Sequence, residues 1–320
     1  MVKPSLKASP RPRGGFPRIG IQIPLFILLA CILVNLVMVF WWLLHSDKQP
    51  LPVPHNPHNL IYTPNSHNQI SRPKKKQPVA TVAHVVSLIK CSKSVTGFID
   101  SAAVFRHSIH QQSFEAGKSK YSYHMYAIVH EQCEQHGEIL KRLGYRVLLK
   151  PPLLRVEDIA EGWYRDHVEM ENCCGSAEFI KLYAYELDDY PIVVHWDMDV
   201  ALLQPMDDIY DSMFYDKFSP EGRAARSRLE LQHPEEPLPD KIDAFFTRDI
   251  TSAQPWEKVQ GVQGGFLVAR PSKKDLQTYI DFIKGGNYTR GRGNNAGWNA
   301  MGYGGFQGAM AYQGVVAFFL

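Results

Sequence analysis

The sequence predicts an α/β fold, a mostly parallel sheet with helices on both faces, behind an N-terminal transmembrane helix. Three observations predict it. A long uncharged apolar run near the start is followed by a proline-rich stretch and then by ordinary globular composition. In that last part, short apolar runs rich in Val, Ile and Ala alternate with segments of helical spacing, the pattern of strands separated by crossover helices. Positive charge is concentrated ahead of the globular part. Of the net +3, residues 1–18 carry +5 and residues 45–78 carry +4, which leaves −6 from Val79 onward. A nucleic-acid binder would place its cations on the folded domain, so nucleic acid is excluded as a partner.

Residues 1–18 form a basic tail containing Lys3, Lys7, Arg11, Arg13 and Arg18. Residues 19–44 follow without a charge. Leu25 to Leu44 holds Asn35 as its single polar side chain. At helical rise, twenty residues span about 30 Å, the hydrocarbon thickness of a bilayer. Trp41 and Trp42 sit where indole rings favour the interface, and the preceding cations predict a cytosolic N-terminus. The run is too long for a signal-peptide core and lacks a small-x-small site after it, so a retained anchor is expected. Residues 45–78 hold seven prolines and the run Lys74-Lys75-Lys76. Few apolar groups offset the entropy of ordering there, and an extended stem is expected. A globular domain then occupies 79–320. The layout suits a receptor or an adhesion protein as well as an enzyme, although the alternating βα pattern argues against a β-sandwich receptor.

Within the domain, Val79 to Ile89 reads as a buried strand, Phe98 to His110 as a helix and Met125 to His130 as a strand. Glu134 to Leu143 reads as a helix stopped by Gly144, and Tyr145 to Leu149 as a strand. Ser176 is placed to cap a helix whose apolar face is Phe179, Leu182, Tyr183 and Leu187. Ile192 to Trp196 is a strand entered through Pro191. Val262 to Ala269 is a glycine-entered strand. Ser272 with Asp275 then forms a capping-box pattern for a helix burying Leu276, Tyr279, Ile280 and Ile283. Gly285 to Gly308 contains nine glycines, so no regular core element is expected there. That stretch reads as a mobile loop over a site or as an irregular connection. Cys91, Cys133, Cys173 and Cys174 allow a disulfide in a lumenal domain, or free buried thiols, and the sequence does not pair them.

Asp197-Met198-Asp199 begins where the strand Ile192 to Trp196 ends, and parallel sheets bind ligands at the carboxyl ends of their strands. Two carboxylates at this spacing, on a backbone turning out of a strand, can converge on a divalent cation that bridges to a phosphate. The tripeptide alone reads first as a solvated turn, and the strand before it brings the two readings level.

The order of landmarks carries more. Glu178-Phe179-Ile180-Lys181-Leu182, then His195-Trp196-Asp197-Met198-Asp199-Val200, then Gln263-Gly264-Gly265-Phe266-Leu267-Val268 with Pro271-Ser272, then Gly305-Phe306-Gln307-Gly308 resembles the retaining glycosyltransferases of family 8, the glycogenin and galactinol synthase group. The resemblance covers about Val79 to the end. It implies a GT-A fold, a nucleotide-sugar donor (a UDP-sugar by expectation) and Mn²⁺ or Mg²⁺. It implies Asp197 and Asp199 as metal ligands, with Asp199 on the diphosphate side. Lys181, Gln263 and Gly264 would line the donor, and Gln307 would be the catalytic residue beside the anomeric carbon. A hexose would pass to a glycan or glycoprotein acceptor with retention, in the lumen of the Golgi or ER.

Three departures stand out. Phe306 replaces the family's usual Asp, and Gln263 its Asn. The family's late His, the third metal ligand, has no counterpart, the last histidine here being His233. The apolar end Val315 to Leu320 reads as a shortened chain. The alternative function is therefore a non-catalytic protein of the same fold that stabilises another transferase. Asn287-Tyr288-Thr289 is an N-glycosylation sequon, which fits lumenal exposure.

Overall fold

Strand β1, Thr81–Leu88, is a run of small and β-branched side chains buried on both faces, and it forms the centre of the sheet. The computed structural model describes residues 77–91, 96–170, 175–234, 237–249, 261–291, 295–306 and 308–319. The described residues belong to one compact unit, Pro73–Leu320. The expected tail, anchor and residues 45–76 of the stem lie outside them, as do Cys173, Cys174 and Gln307. Among the described residues no helix is long and apolar enough to cross a membrane.

The other strands of the sheet are β2 (Ser122–His130), β3 (Arg146–Lys150), β4 (Val193–Trp196), β5 (Ala244–Arg248) and β6 (Val262–Ala269), in the order β3-β2-β1-β4-β6-β5. The first four are mutually parallel, and β6 runs antiparallel to both β4 and β5. The helices are α1 (Thr96–Gln111), α2 (Glu134–Arg142), α3 (Trp163–His167), α4 (Asp207–Phe214), α5 (Pro220–Gln232), α6 (Lys273–Gly285) and α7 (Tyr312–Phe319).

Alternation along the strands divides the core in two. Val82, Val86, Ala127, Val129, Val194, Trp196 and Val268 face α1, α2 and α4, where Phe105, Ile109, Leu140, Tyr210 and Met213 close one core. Ala83, Val85, Ile128, Val193, Leu267 and Ala269 face the opposite way, toward Phe179, Leu182, Ile283, Trp298, Tyr312 and Val316. Burying each large apolar side chain stabilises by roughly 1.5–3 kcal/mol. A disulfide joins Cys91, just after β1, to the buried Cys133 just after β2, with Cα atoms 5.6 Å apart and a sequence separation of 42. A bridge closing a loop of that length stabilises by about 2–4 kcal/mol.

The expected strands and helices up to β4 are present with ends displaced by a few residues, with one exception. Gly175–Glu186 is a 3₁₀ helix, not an α-helix, and Ser176 does not cap it, since its hydroxyl donates to the Glu169 carboxylate. At three residues per turn, positions three apart eclipse. Phe179, Leu182 and Tyr185 therefore form the buried line, and Tyr183 and Leu187 are only half-buried.

Gly144 follows α2 in the left-handed region (φ 88°), and Gly286 caps α6 there (φ 60°). Ser272 Oγ accepts from the Asp275 amide at 3.1 Å, one arm of the expected capping box. The glycine-rich stretch is not free of core structure. Tyr288–Thr289 (β7) pairs with Gly297–Trp298 (β8), and Trp298 is fully buried with its indole N–H donating to Ala309 O at 2.9 Å. The sequence reading leaves α3, α4, α5, β5 and α7 unassigned. For α5 a signal was present: Ser219 caps it, accepting from the Gly222 amide at 3.0 Å, with Pro220 in the first turn.

Candidate functional site at the end of strand β4

The chain builds β1, β2 and β3 outward in one direction and then returns to place β4 on the other side of β1. In such sheets the carboxyl ends of the strands at this reversal, here β1 and β4, are the usual ligand position. Val86 lies level with Trp196, so Ser87 and Asp197 stand level with one another at the carboxyl ends of β1 and β4.

Because β6 is antiparallel to β4, its amino end lies at the same edge. Trp196 pairs with Phe266, and the Asp197 amide donates to Gly265 O at 2.9 Å, extending the ladder one residue past the strand. Gln263, Gly264 and Gly265 therefore sit beside the aspartate. The Gly265 amide donates to Gln263 Oε1 at 2.6 Å, which holds the entry to β6 in shape. A Cβ on Gly265 would lie 2.8 Å from Asp197 Oδ2, and one on Gly264 2.7 Å from Gln313 Cγ, so both positions need glycine for close approach.

Lys181 enters from the 3₁₀ helix below the sheet. It is only 7% exposed. Its ammonium donates to Asp197 Oδ1 at 3.1 Å and to Gly264 O at 3.3 Å, and stands 5.4 Å from the Tyr312 ring centroid. This single cation ties the 3₁₀ helix, β4 and β6 together. Asp199, in contrast, is exposed in the turn and makes no hydrogen bond or ion pair among the described residues.

Under this cluster, His195 is fully buried, with Nε2 3.0 Å from Ser87 Oγ. Burial, reinforced by the Lys181 charge, holds its pKa well below the ordinary value, so the ring is neutral. On the opposite face His84 accepts from the Trp196 indole N–H at 3.0 Å, and burial pushes its pKa down to about 3. Trp196 is thus locked in place one residue before the aspartate.

Of the residues read from the sequence, Lys181, Asp197, Gln263 and Gly264 are brought together, and Asp199 stands beside them in the turn. Gln307 lies outside the described residues. Phe306 is buried, and a Cβ on Gly261 would lie 2.8 Å from its ring, so it packs the start of β6. Tyr312 and Gln313 of α7 were not foreseen. Gln313 donates to Val262 O at 2.8 Å while its stem lies against Gly264. No local signal marks these residues, since their role comes from α7 docking on β6.

Two carboxylates at a strand end fit a divalent cation that takes its remaining ligands from a diphosphate. Asp197 keeps Oδ2 outside the lysine contact, and Asp199 keeps both oxygens. Among the described residues no group of three or more His, Cys, Asp or Glu side chains could hold a metal by itself.

No family model and no curated protein matches the chain. Solved structures similar to it include mouse xyloside xylosyltransferase 1, at 10% identity, covering 63% of this chain and 71% of that one with a TM-score of 0.31. The bifunctional glycosyltransferase WbbM matches at 11% identity over 67% of this chain and 35% of its own, with a TM-score of 0.31. Glucosyl-3-phosphoglycerate synthase from Mycobacterium tuberculosis, solved with uridine diphosphate, matches at 14% identity over 60% and 57%, with a TM-score of 0.24. Likenesses of this size carry no argument about activity.

Proposed function

We propose that the chain is a glycosyltransferase of GT-A type that moves a hexose from a nucleotide sugar, a UDP-sugar by preference, to a glycan or glycoprotein. The observation that carries this reading is the buried Lys181 ammonium held between Asp197 Oδ1 and Gly264 O at the carboxyl end of β4, with Asp199 exposed alongside. Leaving-group departure places negative charge on a diphosphate. Fixed cations and dipoles beside that position stabilise it without reorganising. Asp197 and Asp199 would hold Mn²⁺ or Mg²⁺, and a bound cation of this kind supplies the positive charge that neutralises the departing diphosphate. Lys181 fixes the Asp197 carboxylate and adds charge of its own. Gln263 and Gly264 would line the donor sugar. Gln307 would stand by the anomeric carbon. Retention of configuration rests on the family 8 resemblance.

The expected setting is the lumen of the Golgi or ER, with residues 19–44 as anchor. The Cys91–Cys133 disulfide supports an oxidising compartment.

The test is Mn²⁺-dependent hydrolysis or transfer of UDP-sugars by the full chain. Asp199→Asn is expected to lower turnover by about 10²-fold or more, the scale of losing one electrostatic stabiliser. Full activity in that variant would overturn the assignment.

One observation favours a second reading, a non-catalytic partner of another transferase. Phe306, standing where family 8 has an aspartate, is part of the core and presents no carboxylate. Thermal stability titrated with Mn²⁺ and UDP separates the two: an active site gains stability with ligand, and an unresponsive protein favours the partner role.

A further inference from the structure

The sequon Asn287-Tyr288-Thr289 is the one Asn-x-Ser/Thr run without proline in the 320 residues. A sequon is usable by a folded protein only if the asparagine side chain reaches solvent with room for a bulky polar chain. The structure decides this point. Helix α6 ends at Gly286 in the left-handed region, and the chain turns directly into β7. Alternate residues of a strand face opposite ways. Tyr288 faces inward, its ring 6.2 Å from that of Trp163, 5.6 Å from Tyr164 and 5.3 Å from Trp298. Asn287 and Thr289 therefore face outward, and both are exposed. The aromatic anchor fixes the strand so that this orientation is held.

The asparagine amide is also suitably placed. Asn287 Nδ2 donates to Asn299 Oδ1 at 2.7 Å. Glycosylation removes one of the two amide hydrogens, and the other can keep a hydrogen bond. A second observation bears on the compartment. The Cys91–Cys133 bridge belongs to an oxidising environment, and the lumen that supplies one also supplies the glycan donor.

We propose that Asn287 carries an N-linked glycan, an inference that rests on the lumenal placement given under Proposed function. In the step, Asn287 Nδ2 bonds to the anomeric carbon of a lipid-diphosphate-linked oligosaccharide. The bond from that carbon to the diphosphate oxygen breaks, the lipid diphosphate leaves, and one amide proton is released. The glycan would project from the outward side of β7 into solvent.

The test expresses the full chain in a eukaryotic cell with a secretory pathway and follows its mobility after peptide:N-glycosidase digestion. The wild type is expected to shift down, with deamidation at position 287. Asn287→Gln and Thr289→Ala lose the shift, and Thr289→Ser retains it. A further variant, Gly117→Asn, reports topology independently. It creates Asn-Lys-Ser with Lys118 and Ser119 at a turn in which positions 117 and 118 are exposed and Ser119 is half-buried, where Gly117 has φ 73° and open space around a Cβ, and asparagine tolerates that conformation. A glycan on Gly117→Asn with none on the wild type overturns the Asn287 assignment while leaving the lumenal reading intact. No glycan on either overturns both.

Discussion

The parallel half of the sheet, β3-β2-β1-β4, and its antiparallel flank, β6-β5 with the glycine-rich segment and α7, are built by different means. In the parallel half, β1, β2 and β4 bury apolar side chains on both faces, β3 forms the less buried edge, and cohesion comes from apolar area. In the flank, close contacts run through glycines: Gly264 against Gln313, Gly265 against Asp197, and Gly297 and Gly314 against the backbone at Tyr303 and Ala309. The parallel half contributes Asp197 at a strand end. The flank supplies the surface around it. A site at such a junction needs both a rigid strand end and a backbone that approaches more closely than a side chain would permit.

The largest test asks whether the flank is integral to the fold. Trp298 is fully buried, packs on Tyr164 and Phe282, and donates to Ala309 O. Trp298→Ala is expected to cost about 3–5 kcal/mol in global unfolding by urea. If global stability is unchanged, the flank is an appendage and the comparison fails.

The second test concerns histidines carried by the parallel strands. His84 and His195, on β1 and β4, are buried and neutral, with pKa values held at about 3 and well below 6.5 respectively. Both bind fewer protons folded than unfolded. Their stabilising contribution is complete above the unfolded value of 6.5 and is lost as pH falls from there toward the folded values. Each contributes a slope of up to about 1.4 kcal/mol per pH unit in that window. Urea unfolding from neutral pH downward should show this slope, and His84→Gln should reduce it. A profile that is flat between pH 6.5 and about 4 would contradict the assignment of both rings as neutral.

The smallest effect sharpens the role of glycine. In Gly265→Ala the new Cβ lies 2.8 Å from Asp197 Oδ2 and displaces the carboxylate. Sugar-nucleotide turnover is expected to fall about tenfold, equivalent to ~1.4 kcal/mol, with little change in melting temperature. Gly285→Ala, where a Cβ meets nothing within 4 Å, should leave turnover unchanged. Equal effects from the two variants would show that the flank's glycines serve the chain's flexibility and not the site.

The contrast also explains what could be read in advance. Strand and helix identity up to β4 follows from local hydrophobic period and from punctuation by Gly144 and Pro191. The aspartate pair was visible because a strand preceded it. The form of Gly175–Glu186 was not. Apolar residues at both three- and four-residue spacings fit an α-helix or a 3₁₀ helix, and packing under the sheet selected the latter. That choice places Lys181 beneath Asp197.

By itself, then, the sequence determined an α/β sheet, its parallel half and the position of Asp197 and Asp199 past a strand end, because these follow from periodicities within a dozen residues. Only the tertiary structure decided that β6 runs antiparallel, that Cys91 pairs with Cys133, and that Tyr312 and Gln313 meet the site. Each of these joins segments 42 to more than 100 residues apart. Such contacts depend on which backbones can approach, and that is settled when the whole chain packs.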